Sequence, residues 1–168
     1  MTEPDLIGEV MARLQRVEDE LAIQRLVLSY GPSADAGLAA RAAGDWAEDS
    51  TYDWDAGGQP HRGSAGVEAM LSSDAHQGLI SRGAAHFTGP PLVKLEGDRA
   101  SALTYSLVMR RQGEEFVLWR VSAVRWELSR SGEGWKIQRR TNRLLDASEG
   151  GLQLFREAMS ATFAEPTL

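Results

Sequence analysis

Apolar residues at Leu14, Val17, Leu21, Ile23, Leu26, Val27 and Tyr30 recur close to helical spacing, with Arg16, Glu18, Asp19, Glu20 and Arg25 between them. The pattern predicts an amphipathic first helix that stops at Tyr30. Gly31-Pro32 follow it, and a proline removes a backbone donor and clashes with the preceding turn. The chain then reaches a carboxylate at Asp35. Ala36–Ala43 predicts a second short helix ending near Gly44. Glu48–Trp54 alternates like a strand, with Tyr52 and Trp54 on one face. Asp55–Gly63 is a loop by composition. Ser64 is placed to cap a short helix over Ala65–Leu71, and Ser72–Gly83 is polar and irregular, suited to a lid or rim. Residues 1–13 read as a disordered leader and residues 14–168 as a single domain.

The second half changes period. Ala84–Leu95 predicts a strand interrupted at Gly89-Pro90-Pro91, where a bulge or an edge position is required. Ala100–Arg111, Phe116–Leu128 and Trp135–Leu144 predict three more strands. The turns Glu96–Arg99, Gln112–Glu115 and Ser131–Gly134 join these runs into an antiparallel meander. Gly151–Phe163 closes the chain as a helix. Helices first and a long sheet last predict an α+β fold, a cone-shaped α+β barrel whose curved antiparallel sheet wraps a long N-terminal helix. Such an interior suits a concave, mostly apolar ligand site.

Composition adds exclusions. In 168 residues there are no cysteines, which removes disulfides, thiolate metal sites and cysteine nucleophiles. The acidic Met-Thr-Glu-Pro-Asp start does not fit a signal peptide, and no apolar run approaches membrane-spanning length, so a cytoplasmic protein without a membrane partner is expected. The net charge of −6 argues against nucleic acid as a partner. Residues 99–143 nevertheless carry ten Lys/Arg against four Asp/Glu, leaving −12 for the remainder. A few inward-facing arginines near an anion would account for part of that excess.

The candidate chemistry is acid–base. His86 lies in a predicted strand just before the Gly-Pro-Pro break and is a natural general base or acid. His61 and His76 fall in polar loops and read as surface residues. A neutral histidine needs a partner to fix its tautomer, and Asp35 is the candidate. In an ideal helix Tyr30 and Asp35 are about 140° apart, so both face one cavity only if the Gly-Pro kink turns the chain or the cavity covers the helix end. Strand alternation puts Arg110 and Arg111 on opposite faces and Arg120 in an otherwise apolar row with Leu118, Ser122, Val124 and Trp126. An arginine there can hold a substrate anion or an oxyanion. No phosphate loop, HExxH, GxSxG or clustered metal set appears, and no cofactor is expected.

With these residues placed, the chain resembles the SnoaL-like branch of the nuclear transport factor 2-like superfamily. Its dehydratase-type members, scytalone dehydratase, bile-acid 7α-dehydratase and hexachlorocyclohexane dehydrochlorinase, are the most similar. The resemblance rests on Val17–Ile23, Tyr30 with Asp35, Asp45-Trp46, Tyr52-Asp-Trp54, His86-Phe-Thr-Gly89, Leu95–Asp98 and Gly134–Ile137. It implies Asp35 and His86 as an acid–base pair and Tyr30 as a further catalytic group. Tyr52 or Trp54 would line the site, with Ser122 facing the cavity and Arg143 as a late arginine beside Arg140 and Asn142. Where scytalone dehydratase has a second histidine and the bile-acid enzyme an aspartate, this chain has Arg110-Arg111, which cannot act as a base near neutrality but can hold an anionic or polar tail.

The expected function is therefore a cofactor-independent lyase acting on a small hydrophobic or aromatic substrate. Isomerase or aldol-type cyclase activity, and a non-catalytic binding or assembly module, are the alternatives. A homodimer or homotrimer is expected, one tryptophan serving a subunit interface.

Overall fold

Helix α1 does not stop at the Gly-Pro pair: in the computed structural model, which describes residues 3–55 and 58–162, it runs without interruption over Glu3–Asp35. Pro32 falls in its last turn with its ring exposed. The Pro32 carbonyl accepts from the Ala36 N–H at 3.0 Å and the Ser33 carbonyl from Leu38 at 2.9 Å, so the helix end is closed by its own backbone. The predicted break is therefore absent, and so is any rotation between Tyr30 and Asp35.

The helix also starts well before Leu14. Its apolar residues divide into two stripes. Ile23, Val27, Tyr30 and Ala34 are buried, together with Asp19, whereas Leu14, Val17 and Leu21 are exposed along with Ile7 and Val10. The first half of α1 thus projects with an uncovered apolar edge, and only its second half packs on the sheet.

After α2 (Ala39–Ala43), β1 (Trp46–Trp54) and β2 (His61–Arg62), the chain forms α3 (Gly63–Leu71) and α4 (Asp74–Ser81). The α4 segment was expected to be irregular. It is a helix because the Ser73 side chain caps it, accepting from the His76 N–H. Ser64 caps nothing; α3 begins at Gly63 after Arg62, without a side-chain cap.

The remaining strands are β3 (Ala84–Thr88), β4 (Leu92–Glu96), β5 (Arg99–Gln112), β6 (Glu115–Ser131) and β7 (Gly134–Leu144). They are followed by α5 (Glu149–Thr162), while Phe163, expected in this helix, lies outside the described residues. The sheet has seven strands in the order β2-β1-β7-β6-β5-β3, with β4 beside β3 on the same edge of β5. It is curved and not closed. Strands β5, β6 and β7 form the expected meander, but β1 joins β7 in parallel, so the sheet is mixed rather than purely antiparallel.

Alternation and register sort the sheet residues into two faces. The concave face carries Tyr52, Arg140, Trp126 and Ala102 in one cross-strand row and packs on α1. Trp126, Ile23, Val27 and Ile137 are fully buried there, each contributing about 1.5–3 kcal/mol through the area it removes from water. The convex face carries Leu103 and Ala123, covered by Leu154 and Ala158 of α5. No helix among the described residues is long and apolar enough to cross a membrane.

Candidate acid–base site

Asp35, the last residue of α1, holds His86 with both carboxylate oxygens. Oδ2 accepts from the His86 backbone N–H at 2.7 Å, and Oδ1 lies 2.5 Å from the ring Nδ1. A carboxylate only accepts, so Nδ1 donates to it and Nε2 is the ring nitrogen turned away from Asp35. Both side chains are about one-fifth exposed. Helix and strand are brought together by Gly31. A Cβ at this position would sit 2.0 Å from the His86 carbonyl oxygen, a distance no side chain can occupy. The glycine serves close approach, not chain breaking.

His76 was expected at the surface. It is buried on α4 beside the catalytic candidate, its ring centre 5.5 Å from that of His86. Its Nε2 is 3.1 Å from the Ala34 carbonyl, which only accepts, so that nitrogen is protonated and ties α4 to the end of α1. His61 is half-buried, its ring 6.2 Å from Tyr52.

Beside His86 on the concave face lies a hydroxyl row in adjacent register: Thr88, Ser106 and Ser122 pair in turn across β3, β5 and β6, all buried. Ser122 thus faces inward, as expected. Thr104 accepts from Trp126 Nε1 at 3.1 Å, and the neighbouring Asn142 has a buried side-chain oxygen without a hydrogen-bond partner.

Tyr30 does not sit beside Asp35. It lies in an aromatic cluster with Trp46, Tyr52 and Trp126, ring centres 6.1–6.3 Å away. The Arg140 guanidinium stands 4.4 Å from the Tyr30 ring centre, 4.7 Å from Tyr52 and 4.5 Å from Trp126. Burial, reinforced by Tyr52, pushes the Tyr30 hydroxyl far above its ordinary range despite Arg140, so it stays protonated. Arg140 is 3% exposed, and its Nε and Nη1 have no hydrogen-bond partner. Sequence reasoning singled out Arg143 and left Arg140 as its neighbour. The run Gln138-Arg-Arg-Thr-Asn-Arg143 places arginines on both faces, and only the pairing of Arg140 with Tyr52 and Trp126 shows which enters.

Two expected site residues lie elsewhere. Arg143 pairs with Ala123, which puts it on the convex face; it binds Asp53 at 2.7 Å and Asp55 at 3.5 Å. The Asp53 hydrogen bond, outweighing partial burial, raises its pKa further. Arg111 is exposed and donates to the Gly113 carbonyl at 2.8 Å. Arg110, by contrast, shares the concave side with Val108 and is half-buried, as are Arg120 and Trp54. Among the described residues no three His, Asp or Glu side chains come together as metal ligands.

No curated protein matches the chain. Among solved structures, it is similar to an NTF2-like protein with a cystatin-like fold from Novosphingobium aromaticivorans, at 39% identity over 88% of this chain and 95% of that one, with a TM-score of 0.85. A candidate aromatic ring hydroxylase from the same organism aligns at 26% identity over 82% and 96% of the two chains, with a TM-score of 0.60. ActVI-ORFA from Streptomyces coelicolor aligns at 19% identity over 74% and 98%, with a TM-score of 0.59, a likeness of fold alone. The model of the SnoaL-like domain matches residues 15–141. With that match spanning α1 to β7, this chain belongs to the SnoaL-like domain family and has the NTF2-like fold.

Proposed function

We propose that the protein is a cofactor-independent lyase in which His86 Nε2 removes a proton from carbon and Asp35 holds the imidazole in the required tautomer. The observation that carries this reading is the double contact of Asp35 with His86, which leaves Nε2 as the one free ring nitrogen. The substrate class that fits is a cyclic ketone, or its aromatic-forming equivalent, with a hydroxyl β to the carbonyl. His86 takes the α-proton, the C–H pair becomes the new C=C bond, and the β C–O bond breaks with its electrons leaving on oxygen. The proton on Nε2 returns to that oxygen, and water departs. Ser122 and its hydroxyl row, which lie beside His86, offer donors to the carbonyl or leaving group, whereas Tyr30, expected in that role, points into the buried aromatic cluster around Arg140. Tyr52 and Trp54 supply apolar wall. Loss of an aldehyde would use the same base differently: His86 would take the β-hydroxyl proton, the Cα–Cβ bond would break as the aldehyde C=O forms, and the proton would return to the α-carbon.

Members of the family are often enzymes, cyclases and isomerases among them. Isomerisation or aldol-type cyclisation would begin with the same proton abstraction, and product mass separates the outcomes: unchanged for isomerisation, lowered when a fragment leaves. A non-catalytic module would have no need of an aspartate spent wholly on one histidine, so the 2.5 Å contact counts against it. The test is turnover of β-hydroxy cyclic ketones followed by mass spectrometry, with His86→Gln alongside. Wild-type turnover by His86→Gln on an identified substrate would sink the mechanism. Exposed Tyr105, Leu118 and Phe87 on the convex face support a homodimer or homotrimer, checked by light scattering.

A further inference from the structure

The arginines of this sheet differ in what they are paired with. On the convex side, Arg143 is matched with Asp53 and Asp55, and Arg125 and Arg139 with Glu127, while the exposed Arg99 and Arg111 lie at the strand ends. On the concave side Arg130 is paired with Asp19 and Asp98, whereas Arg110, Arg120 and Arg140 have no carboxylate partner among the described residues, although the chain as a whole is acidic. Arg110 and Arg120 lie toward the His86 end of that face. Their guanidiniums are held by rings instead: Arg110 is 4.9 Å from the Trp119 ring centre, and Arg120 is 4.9 Å from that of Trp54 and 6.0 Å from that of Trp119. Arg110 Nε and Arg120 Nη2 are buried without a hydrogen-bond partner.

A bulge builds this arrangement. Val108 pairs with Arg120 and Met109 with Leu118, so Trp119 is the extra, unpaired residue of β6. In regular register Trp119 would point away from its neighbour Arg120; the bulge brings its ring within reach of both guanidiniums. Two like charges beside one tryptophan, with donors buried and unused, are costly unless an anion completes them. Ring stacking covers the faces of the guanidiniums and leaves their N–H edges, which match a planar carboxylate.

We propose that Arg110 and Arg120 form a carboxylate-binding subsite, so that the substrate of the Asp35–His86 pair is a ring-bearing acid. This rests on the reading of that pair as catalytic. His86 faces Val108 and Val108 faces Arg120, which separates the two backbones by two strand spacings, about 10 Å. A fused two-ring acid, or one ring with a short acyl chain, spans that distance. A carboxylate is favoured over a phosphate because neither a glycine-rich loop nor a helix N-terminus of eight residues or more accompanies the arginines.

The test is binding, which needs no turnover. Quenching of tryptophan fluorescence by 2-naphthoate is measured beside uncharged 2-naphthalenemethanol and inorganic phosphate. Naphthoate is expected to bind at least about tenfold more tightly than the alcohol, and Arg120→Gln and Arg110→Gln each remove most of that difference without changing the alcohol. Arg120→Lys retains charge and stem, guards against a folding defect, and loses only part, about threefold. Equal binding of acid and alcohol, or naphthoate binding that is indifferent to both Gln variants, overturns the subsite. Phosphate binding at these arginines without naphthoate binding overturns the carboxylate assignment. Because binding is read without turnover, loss of naphthoate preference in the two Gln variants supports the subsite even if wild-type turnover by His86→Gln overturns the catalytic reading.

Discussion

The α-carbon of Gly31 faces the carbonyl oxygen of His86 so closely that a Cβ would lie 2.0 Å from it. The helix carrying the aspartate and the strand carrying the histidine are thus in backbone contact, and the 2.5 Å Asp35–His86 bond depends on that spacing. Gly31→Ala is expected to destabilise the protein by about 3 kcal/mol, because a helix and a strand must part to admit one methyl group. It should also weaken the acid–base pair. Urea unfolding and turnover check the two effects. Pro32→Ala is the contrast. Its ring is exposed in the last helical turn, so stability should be unchanged or rise by up to about 1 kcal/mol as a backbone donor is restored.

Asp35→Asn retains the shape of the clamp and removes the charge that fixes the His86 tautomer. Turnover should fall by about 100-fold or more, and His86→Gln by at least as much. The two together should cost little more than either alone, since the residues act as one unit. Steady-state kinetics of the single and double variants test this; additive losses would mean independent roles.

Arg143→Ala should leave kcat/KM within about twofold, because its guanidinium is committed to Asp53 and Asp55 on the face away from His86. Its half-exposed pairs are worth about 1 kcal/mol at most. A large loss of activity with the fold intact would place the convex face in the chemistry after all.

Asp19 anchors the other end of the core. It accepts from Arg130, from Trp135 Nε1 at 3.1 Å and from Gln15 at 3.2 Å. Burial alone would push its pKa up, but these hydrogen bonds, led by Arg130, outweigh that and hold it below the usual carboxylate range. A carboxyl depressed in the folded state contributes stability above its unfolded pKa of about 3.9, and that contribution is lost as pH falls through the lower folded value. Asp19→Asn should therefore cost about 2 kcal/mol at neutral pH. The gap to wild type should narrow in acid, below the pH at which the wild-type carboxylate protonates. Denaturation midpoints across pH measure it.

Much of the molecule was legible in its sequence. Period-2 alternation over Ala100–Arg111, Phe116–Leu128 and Trp135–Leu144, cut by glycine turns, located the three long strands, because the pleat and the turns are local properties. A histidine before Gly-Pro-Pro and an aspartate after the first helix were enough to nominate the pair now found in contact. Glycine and proline side by side read locally as a helix break, whereas a proline in the last turn costs little and the glycine answers to a strand more than fifty residues away.

By itself, then, the sequence determined what short-range rules control: the long strands and their turns, the middle of α1, and the residue types available for acid–base chemistry. Only the tertiary structure decided which residues meet. The faces of Arg140 and Arg143 depend on the pairing of β7 with β1 and β6. The burial of His76 depends on α4 docking against Ala34, and the sharing of Trp119 by two arginines on a single bulge. Register and close approach are set by contacts between distant segments, and a one-residue shift moves every side chain of a strand to the opposite face.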